Sequence, residues 1–420
     1  MKRFLKIAVV SVLLCAILSV VAWWIYLEMT CRITAGPMVQ MVTPSGFTVV
    51  WRTNWAGQGR LLVTDGTRQV ADIRAAYEDG QHVAAVTGLQ SGRPYHYQIT
   101  HTHDLVEMSL GGPWTCKTDA GPKASFRLMA FGDSGKANRS QYLLSEQMVR
   151  YPVDLIIHTG DLIYPDGLPG CYPSAFFEPY AKLIASVAFM PVIGNHDYRA
   201  NRGEPLLRTF VLPRNGPVGT DPERHYGFDY GCARFVAVDT DVDRAELNDR
   251  VAPWLKNAFA SAGPVWRFVY FHFPPYTGSV KHPPDVKVQQ TLVPVMEQAR
   301  VDIVFAGHNH LYERSRPLRG GQIVGDRDGI VYIVTGAGGA NRYAIKPPES
   351  RPPYTEAFYD EDFSFTLVEV APTSLRLEQI DLRGRTVDRW ELNRGPRASL
   401  TPSATHPTTA TTTRSASATR

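Results

Sequence analysis

The stretch VDLIIHTGDLIYPDG, residues 153–167, sets an apolar run directly before Gly160 and Asp161, with Tyr164 three residues beyond the aspartate. A carboxylate just past a strand is most often the N-cap of a following helix, and a lone tyrosine is most often a packed ring. Four further apolar runs end in polar residues of the same kind. FRLMAFGD stops at Asp133, AFMPVIGNHD at Asn195, His196 and Asp197, WRFVYFHF at His272, and VDIVFAGHNH at His308, Asn309 and His310. Helical segments, RSQYLLSEQMVR (139–150) and SAFFEPYAKLIASV (174–187), fall between them. This alternation predicts a layered α-β domain over residues 124–394, with helices outside the sheets and closing strands between Phe363 and Leu392. The five polar ends would then share one edge, where the strand-end loops of such folds build their sites.

Taken singly, these residues have bland explanations. Asn195 reads as a turn residue, and any one histidine as a hydrogen-bonded core residue. Their joint occurrence is harder to dismiss. Two carboxylates, a phenol, an amide oxygen and three imidazoles are enough ligands for two ions, and without a thiolate they suit hard and borderline metals. Two ions about 3.5 to 4 Å apart can generate hydroxide and stabilise an in-line displacement at phosphorus.

The ordered set Asp133, GDLIY (160–164), GNHD (194–197), VYFH (269–272) and GHNH (307–310) resembles the signature of the purple acid phosphatases. GHNHLYERSRP (307–317) extends the likeness. The resemblance implies a calcineurin-like metallophosphoesterase, a β-sandwich flanked by helices, hydrolysing phosphate monoesters by attack of a metal-bound hydroxide. The alternative on the same dimetal fold is a phosphodiesterase or nucleotidase. It further implies that Asp133, Tyr164 and His310 bind iron(III), that Asn195, His272 and His308 bind a divalent ion (iron, zinc or manganese), and that Asp161 bridges them. His196 would contact the phosphate and help protonate the leaving group, Asp197 would orient His196, and His282 falls near a second substrate-binding histidine. Related phosphoesterases place a histidine two residues after the first aspartate; here that position is Gly135, and Tyr164 makes good the missing ligand. A non-catalytic surface protein with a decayed site is a third reading, which the full set of ligand residues disfavours.

With Asp133, Asp161 and a tyrosinate counted against iron(III) and a divalent ion, a net positive charge remains, and one hydroxide lowers it to about one. An anionic ester would be attracted without being trapped. A trivalent ion depresses the pKa of its water, so activity on the acid side of neutrality is expected, with inversion at phosphorus.

Residues 36–120 read as short alternating strands separated by Gly and Pro turns: GFTVVWRT, GRLLVTD, HVAAVTGL and YHYQITH. HVAAVTGLQSGRPYHYQI (82–99) resembles the fibronectin type III pattern, which implies a small β-sandwich ahead of the catalytic domain. Lys2, Arg3 and Lys6 precede an uncharged apolar run from Ile7 to Leu27. Residues 1–32 therefore read as a membrane anchor, with the rest outside the cytoplasm, or as a signal peptide whose cleavage would release a secreted protein. An exported chain would permit disulfides, Cys31 with Cys116 and Cys171 with Cys232. A formal charge of +4 over 420 residues, without a basic stripe, gives no reason to expect nucleic acid as a partner. TGAGGA (335–340) lacks the Lys-Ser/Thr of a phosphate loop and reads as a structural turn near the site. Trp254 and Leu255 mark a buried helix face. The Thr/Ser-rich tail, residues 395–420, has no apolar groups to offset its ordering entropy and is expected to be disordered.

Overall fold

The computed structural model describes residues 12–23, 29–260 and 266–393. The N-terminal part is a sandwich of two four-stranded antiparallel sheets. One is ordered Ile33–Thr43, Gly46–Thr53, Gln81–Val86, Ala76–Glu78; the other Arg68–Arg74, Gln58–Asp65, Pro94–His103, Val106–Lys117. Along Pro94–His103 buried and exposed residues alternate, with Tyr95, Tyr97, Ile99 and His101 inward, because one face of each sheet is solvated. The seam to the next domain is fixed by the buried Gln40, whose amide donates to Phe189 O at 2.7 Å and accepts from Val211 N at 2.7 Å.

The second domain stacks two mixed sheets. In the six-stranded sheet the parallel trio Ala188–Pro191, Leu155–His158, Phe126–Phe131 continues into the antiparallel strands Ser364–Ala371, Ser374–Asp381 and Thr386–Asn393. The seven-stranded sheet has Ala233–Ala237, Trp266–Phe271, Ile303–Ala306 and Val331–Thr335 in parallel at its centre. Leu155–His158 and Ile303–Ala306 are buried at every residue, as parallel strands covered on both faces must be. Helices Arg139–Met148 and Glu178–Ile184 form where helical segments were expected. In the helix Ala252–Ala258, Leu255 is buried while Trp254 is only half-buried, its indole N–H donating to Asn215 O at 2.8 Å. The two sheets meet where Gly132 N donates to Thr335 O at 3.0 Å, which sets both rows of strand ends on one edge.

The cysteines are free, so neither pairing that export would permit is made. Cys116 is buried in Val106–Lys117 of one sheet, whereas Cys31 leads into Ile33–Thr43 of the other. Cys171 closes a short turn before the outer helix, and Cys232 lies in the hairpin between Tyr226–Tyr230 and Ala233–Ala237. Of the apolar run 7–27, residues 12–23 are described, as a helix with exposed side chains; the remainder lies outside the described residues, as does the tail from 394. Among the described residues no helix is long and apolar enough to cross a membrane.

Candidate metal centre

The five strand ends converge. Asp133 and Asp161 each follow a parallel strand of the six-stranded sheet and are buried, both with left-handed backbone (φ 58° and 55°). Left-handed backbone is uncommon outside glycine and clusters at functional sites. Tyr164 Oη lies 2.9 Å from Asp161 Oδ2, 3.3 Å from Asp133 Oδ1 and 3.1 Å from His310 Nε2. A second group faces it. Asn195 Oδ1 sits 3.0 Å from His272 Nε2 and 3.0 Å from His308 Nδ1, and His272 Nε2 is 3.4 Å from Asp161 Oδ1. Asp161 therefore borders both groups. Atoms of Asp133, Asp161 and His272 all lie within 4.8 Å of one another.

Electrostatics show what this arrangement lacks. Among the described residues the ion pairs given to Asp133 and Asp161 come from histidines, not from lysine or arginine. Burial works against the Asp161 charge, but His272 and His196 hold its carboxyl below the usual range. Burial likewise works against a charge on His272, yet Asp161 and Asp133 push it up to about 10. His308 is driven the other way, down to about 2, by burial and the neighbouring His272 and His282. Burial, Asp161 and Asp133 keep the Tyr164 phenol protonated far above its ordinary range. Two buried carboxylates ringed only by imidazoles, an amide oxygen and a phenol call for cations, and the all O and N donor set fits iron with a divalent partner.

Gly135 explains the tyrosine. A Cβ there would lie 1.6 Å from the carbonyl oxygen of Leu162, and its own carbonyl accepts from Tyr164 N at 2.8 Å. The chain after Asp161 crosses so close to Gly135 that no side chain fits, and the crossing delivers Tyr164 into the space instead. Gly336 serves the same edge, since a Cβ there would meet Asp133 Oδ2 at 2.7 Å and Asn309 O at 2.4 Å. TGAGGA is thus a turn packed against the site.

His196 stands at the mouth. Its Nδ1 donates to Pro165 O at 2.5 Å and its ring lies 4.3 Å from that of Tyr164, which leaves Nε2 facing the centre, 3.9 Å from Asp161 Oδ2. Asp197 does not orient it. The Asp197 carboxylate accepts instead from Leu162 N (3.0 Å), Ile163 N (2.9 Å) and Gly194 N (3.0 Å), tying together the loops that carry Asp161, Tyr164 and Asn195. His282 is brought to the centre, its ring 4.2 Å from that of His308. One neighbour was not foreseen: Tyr343 stacks on His310 with ring centroids 4.1 Å apart and planes 10° from parallel. Burial, then Asp133 and Asp161, push its phenol up to about 12, so it stays neutral.

Two facing mixed sheets with this donor set at their shared edge define the calcineurin-like phosphoesterases, metal-dependent phosphoester hydrolases as a class, and residues 126–312 match that family. Residues 329–389 match the iron/zinc purple acid phosphatase-like protein C family, so the second domain resembles the purple acid phosphatases in both its parts. Purple acid phosphatase 5 of Arabidopsis thaliana is 26% identical, the match covering 74% of this chain and 75% of the relative. Probable inactive purple acid phosphatase 24 of the same plant is 24% identical, covering 78% of this chain and 60% of the relative. A nucleotide pyrophosphatase/phosphodiesterase of Hordeum vulgare is 26% identical over 64% of this chain and 83% of that one. Among solved structures, the purple acid phosphatase PPD1 of yellow lupin shares the fold, with a TM-score of 0.76 at 18% identity, covering 87% of this chain and 77% of the other.

Proposed function

We propose that this chain is an acid phosphatase that hydrolyses phosphate monoesters at an iron(III)–divalent pair. The observation that carries the reading is the division of seven donors into two nests around Asp161: Asp133, Tyr164 and His310 on one side, Asn195, His272 and His308 on the other. Bound there, the two ions would supply a nucleophile in acid and neutralise the phosphoryl oxygens. The protein does the rest. Asp197 holds the two donor-bearing loops in register through three backbone amides. His196, with Nδ1 committed to Pro165 O, aims Nε2 at the leaving oxygen and gives it a proton. His282 and Tyr343 pack on the rings of His308 and His310. Direct displacement without a covalent protein intermediate inverts phosphorus, so retention with a chiral phosphate ester would end this reading.

The activity named for the barley relative supports a second reading, phosphodiester cleavage at the same centre. Rates on aryl phosphate mono- and diesters, measured from pH 4 to 8 on protein of known iron and zinc content, decide between them. Monoester preference with an optimum below neutral is expected. A violet tyrosinate-to-iron band should accompany full iron loading and vanish in Tyr164→Phe; a colourless oxidised wild type with full iron would remove Tyr164 from the ligand set. The apolar run 7–27 with its basic flank supports an externally facing, membrane-held protein. Release into the soluble fraction on alkaline washing, without detergent, would overturn that location.

A further inference from the structure

The three imidazoles of the centre are not held alike. His272 directs Nε2 inward, and its outer nitrogen, Nδ1, lies 2.9 Å from Thr159 O, a hydrogen bond that fixes the ring's rotation. His308 directs Nδ1 inward and is packed edge-on by Phe273 at 4.6 Å and, with planes tilted by 34°, by His282 at 4.2 Å. His310 directs Nε2 inward, 3.3 Å from Asp133 Oδ1 and 3.1 Å from Tyr164 Oη, while its Nδ1 is buried without a hydrogen-bond partner. Histidines that bind metals ordinarily have that outer N–H tied to an acceptor, which sets tautomer and orientation and makes the ring a stronger donor. The second torsion of a histidine is otherwise broad. Something else must aim His310.

Tyr343 is placed to do so. Its ring covers the His310 imidazole face to face at 4.1 Å and 10°, and its backbone N–H donates to the carbonyl of His310 itself at 3.0 Å. The backbone bond keeps the two residues in step, so the stack cannot slide. On its other flank Tyr343 meets His282 at 5.5 Å and 65°. We infer that Tyr343 is a positioning residue for the iron side of the centre, aiming His310 by ring stacking in place of the usual outer hydrogen bond. This rests on the reading of His310 as an iron ligand.

The test compares the full-length, iron–zinc-loaded wild type with Tyr343→Phe and Tyr343→Leu. Iron release to a chelator and the position of the violet band are followed at equal starting metal content. Tyr343→Leu should release iron about ten- to a hundredfold faster, the range seen when outer supports of metal ligands are removed, and its band should move. Tyr343→Phe keeps the flat ring without the hydroxyl and should stay within about twofold of wild type on the same scale, with its band unmoved. Iron retained by Tyr343→Leu as by wild type overturns the inference, and so does loss in Tyr343→Phe equal to that in Tyr343→Leu. If Tyr343→Leu does not fold, Tyr343→Trp against Tyr343→Ile makes the same comparison of flat ring against aliphatic chain. A wild type that binds no iron takes down the ligand reading itself, a result distinct from either of these.

Discussion

Among the described residues, histidines are buried in both domains, and a pair from the sandwich differs from those of the centre in what faces it. In the N-terminal sandwich His82 stacks on Trp51 at 5.2 Å, packs against Tyr77 at 4.8 Å and meets the edge of His101 at 5.5 Å. Its Nε2 lies 3.2 Å from Thr53 Oγ1 while Nδ1 has no hydrogen-bond partner. Burial, then His101, lowers it to about 4. In the catalytic domain His272 is as thoroughly buried but faces Asp161, and it is pushed up to about 10. Burial alone makes histidine a neutral packing element; a carboxylate opposite makes the same burial a demand for positive charge. That opposition, rather than the number of histidines, distinguishes a site from a core.

The largest test of the contrast removes the shared carboxylate. Asp161→Asn keeps the shape but leaves one of the two bordering nests without its anion, and loss of several kcal/mol of charge stabilisation corresponds to about a thousandfold or more in kcat. Metal analysis should show both ions depleted. Activity within tenfold of wild type with full metal would mean that Asp161 does not join the nests.

Gly135→Ala comes next. The new Cβ would sit 1.6 Å from a backbone oxygen, so the segment carrying Tyr164 must move. Overpacking of this kind costs about 1–3 kcal/mol or more, and here it displaces a ligand as well. Reduced thermal stability together with a weakened violet band is expected. An unchanged Tm and spectrum would show that the crossing at Leu162 is loose and that Gly135 does not place the tyrosine.

How much of this was legible in the sequence depends on the physical reason for each feature. Leu155–His158 and Ile303–Ala306 stood out because strands buried on both faces are apolar throughout, and their polar ends then stand out against them. The strand Arg68–Arg74 did not, because it is an edge strand with no buried residue. The resemblance implies that Asp197 orients His196, yet within the short helix Asn195–Arg199 successive side chains diverge by about 100°. The carboxylate faces the loops and the imidazole faces the mouth. Tyr343 had no signal at all: it arrives from beyond the glycine turn with no fixed spacing to the residue it covers. Gly135 was legible as a missing ligand, but the reason for its absence lies in a contact with Leu162, 27 positions away, that only the fold reveals.

Asp197→Asn sharpens the same point at smaller scale. Leu162 N and Gly194 N donate to one carboxylate oxygen and Ile163 N to the other, and an amide group can accept with only one of its two ends. At least one buried N–H loses its acceptor, which costs about 1–3 kcal/mol. Because the loops it ties carry Asp161 and Asn195, metal affinity should fall along with Tm. If only Tm falls, Asp197 supports the fold without positioning the donors.

The smallest effect belongs to the N-terminal group, and its sign follows from the direction of the shift. The folded sandwich depresses His82 from 6.5 to about 4. Below pH 6.5 the unfolded chain takes up a proton there that the folded one refuses, so the stability held above pH 6.5 drains away as pH falls towards 4. His82→Gln can still reach Thr53 but never titrates. Its Tm should therefore drop less than the wild type's between pH 7 and pH 4, by a few degrees, on the scale of about 2–4 °C per kcal/mol for domains of 150–250 residues. His101, also lowered chiefly by burial, contributes in the same direction and leaves part of the slope in place. Equal acid slopes in the two proteins would mean that the His82 ring is solvated in solution, and that the aromatic packet around it is no closed core. A steeper slope in the variant would require a raised pKa, which only an anion near His82 could provide. The described structure places Trp51, Tyr77, His101 and Thr53 there, none of them carrying negative charge in that pH range.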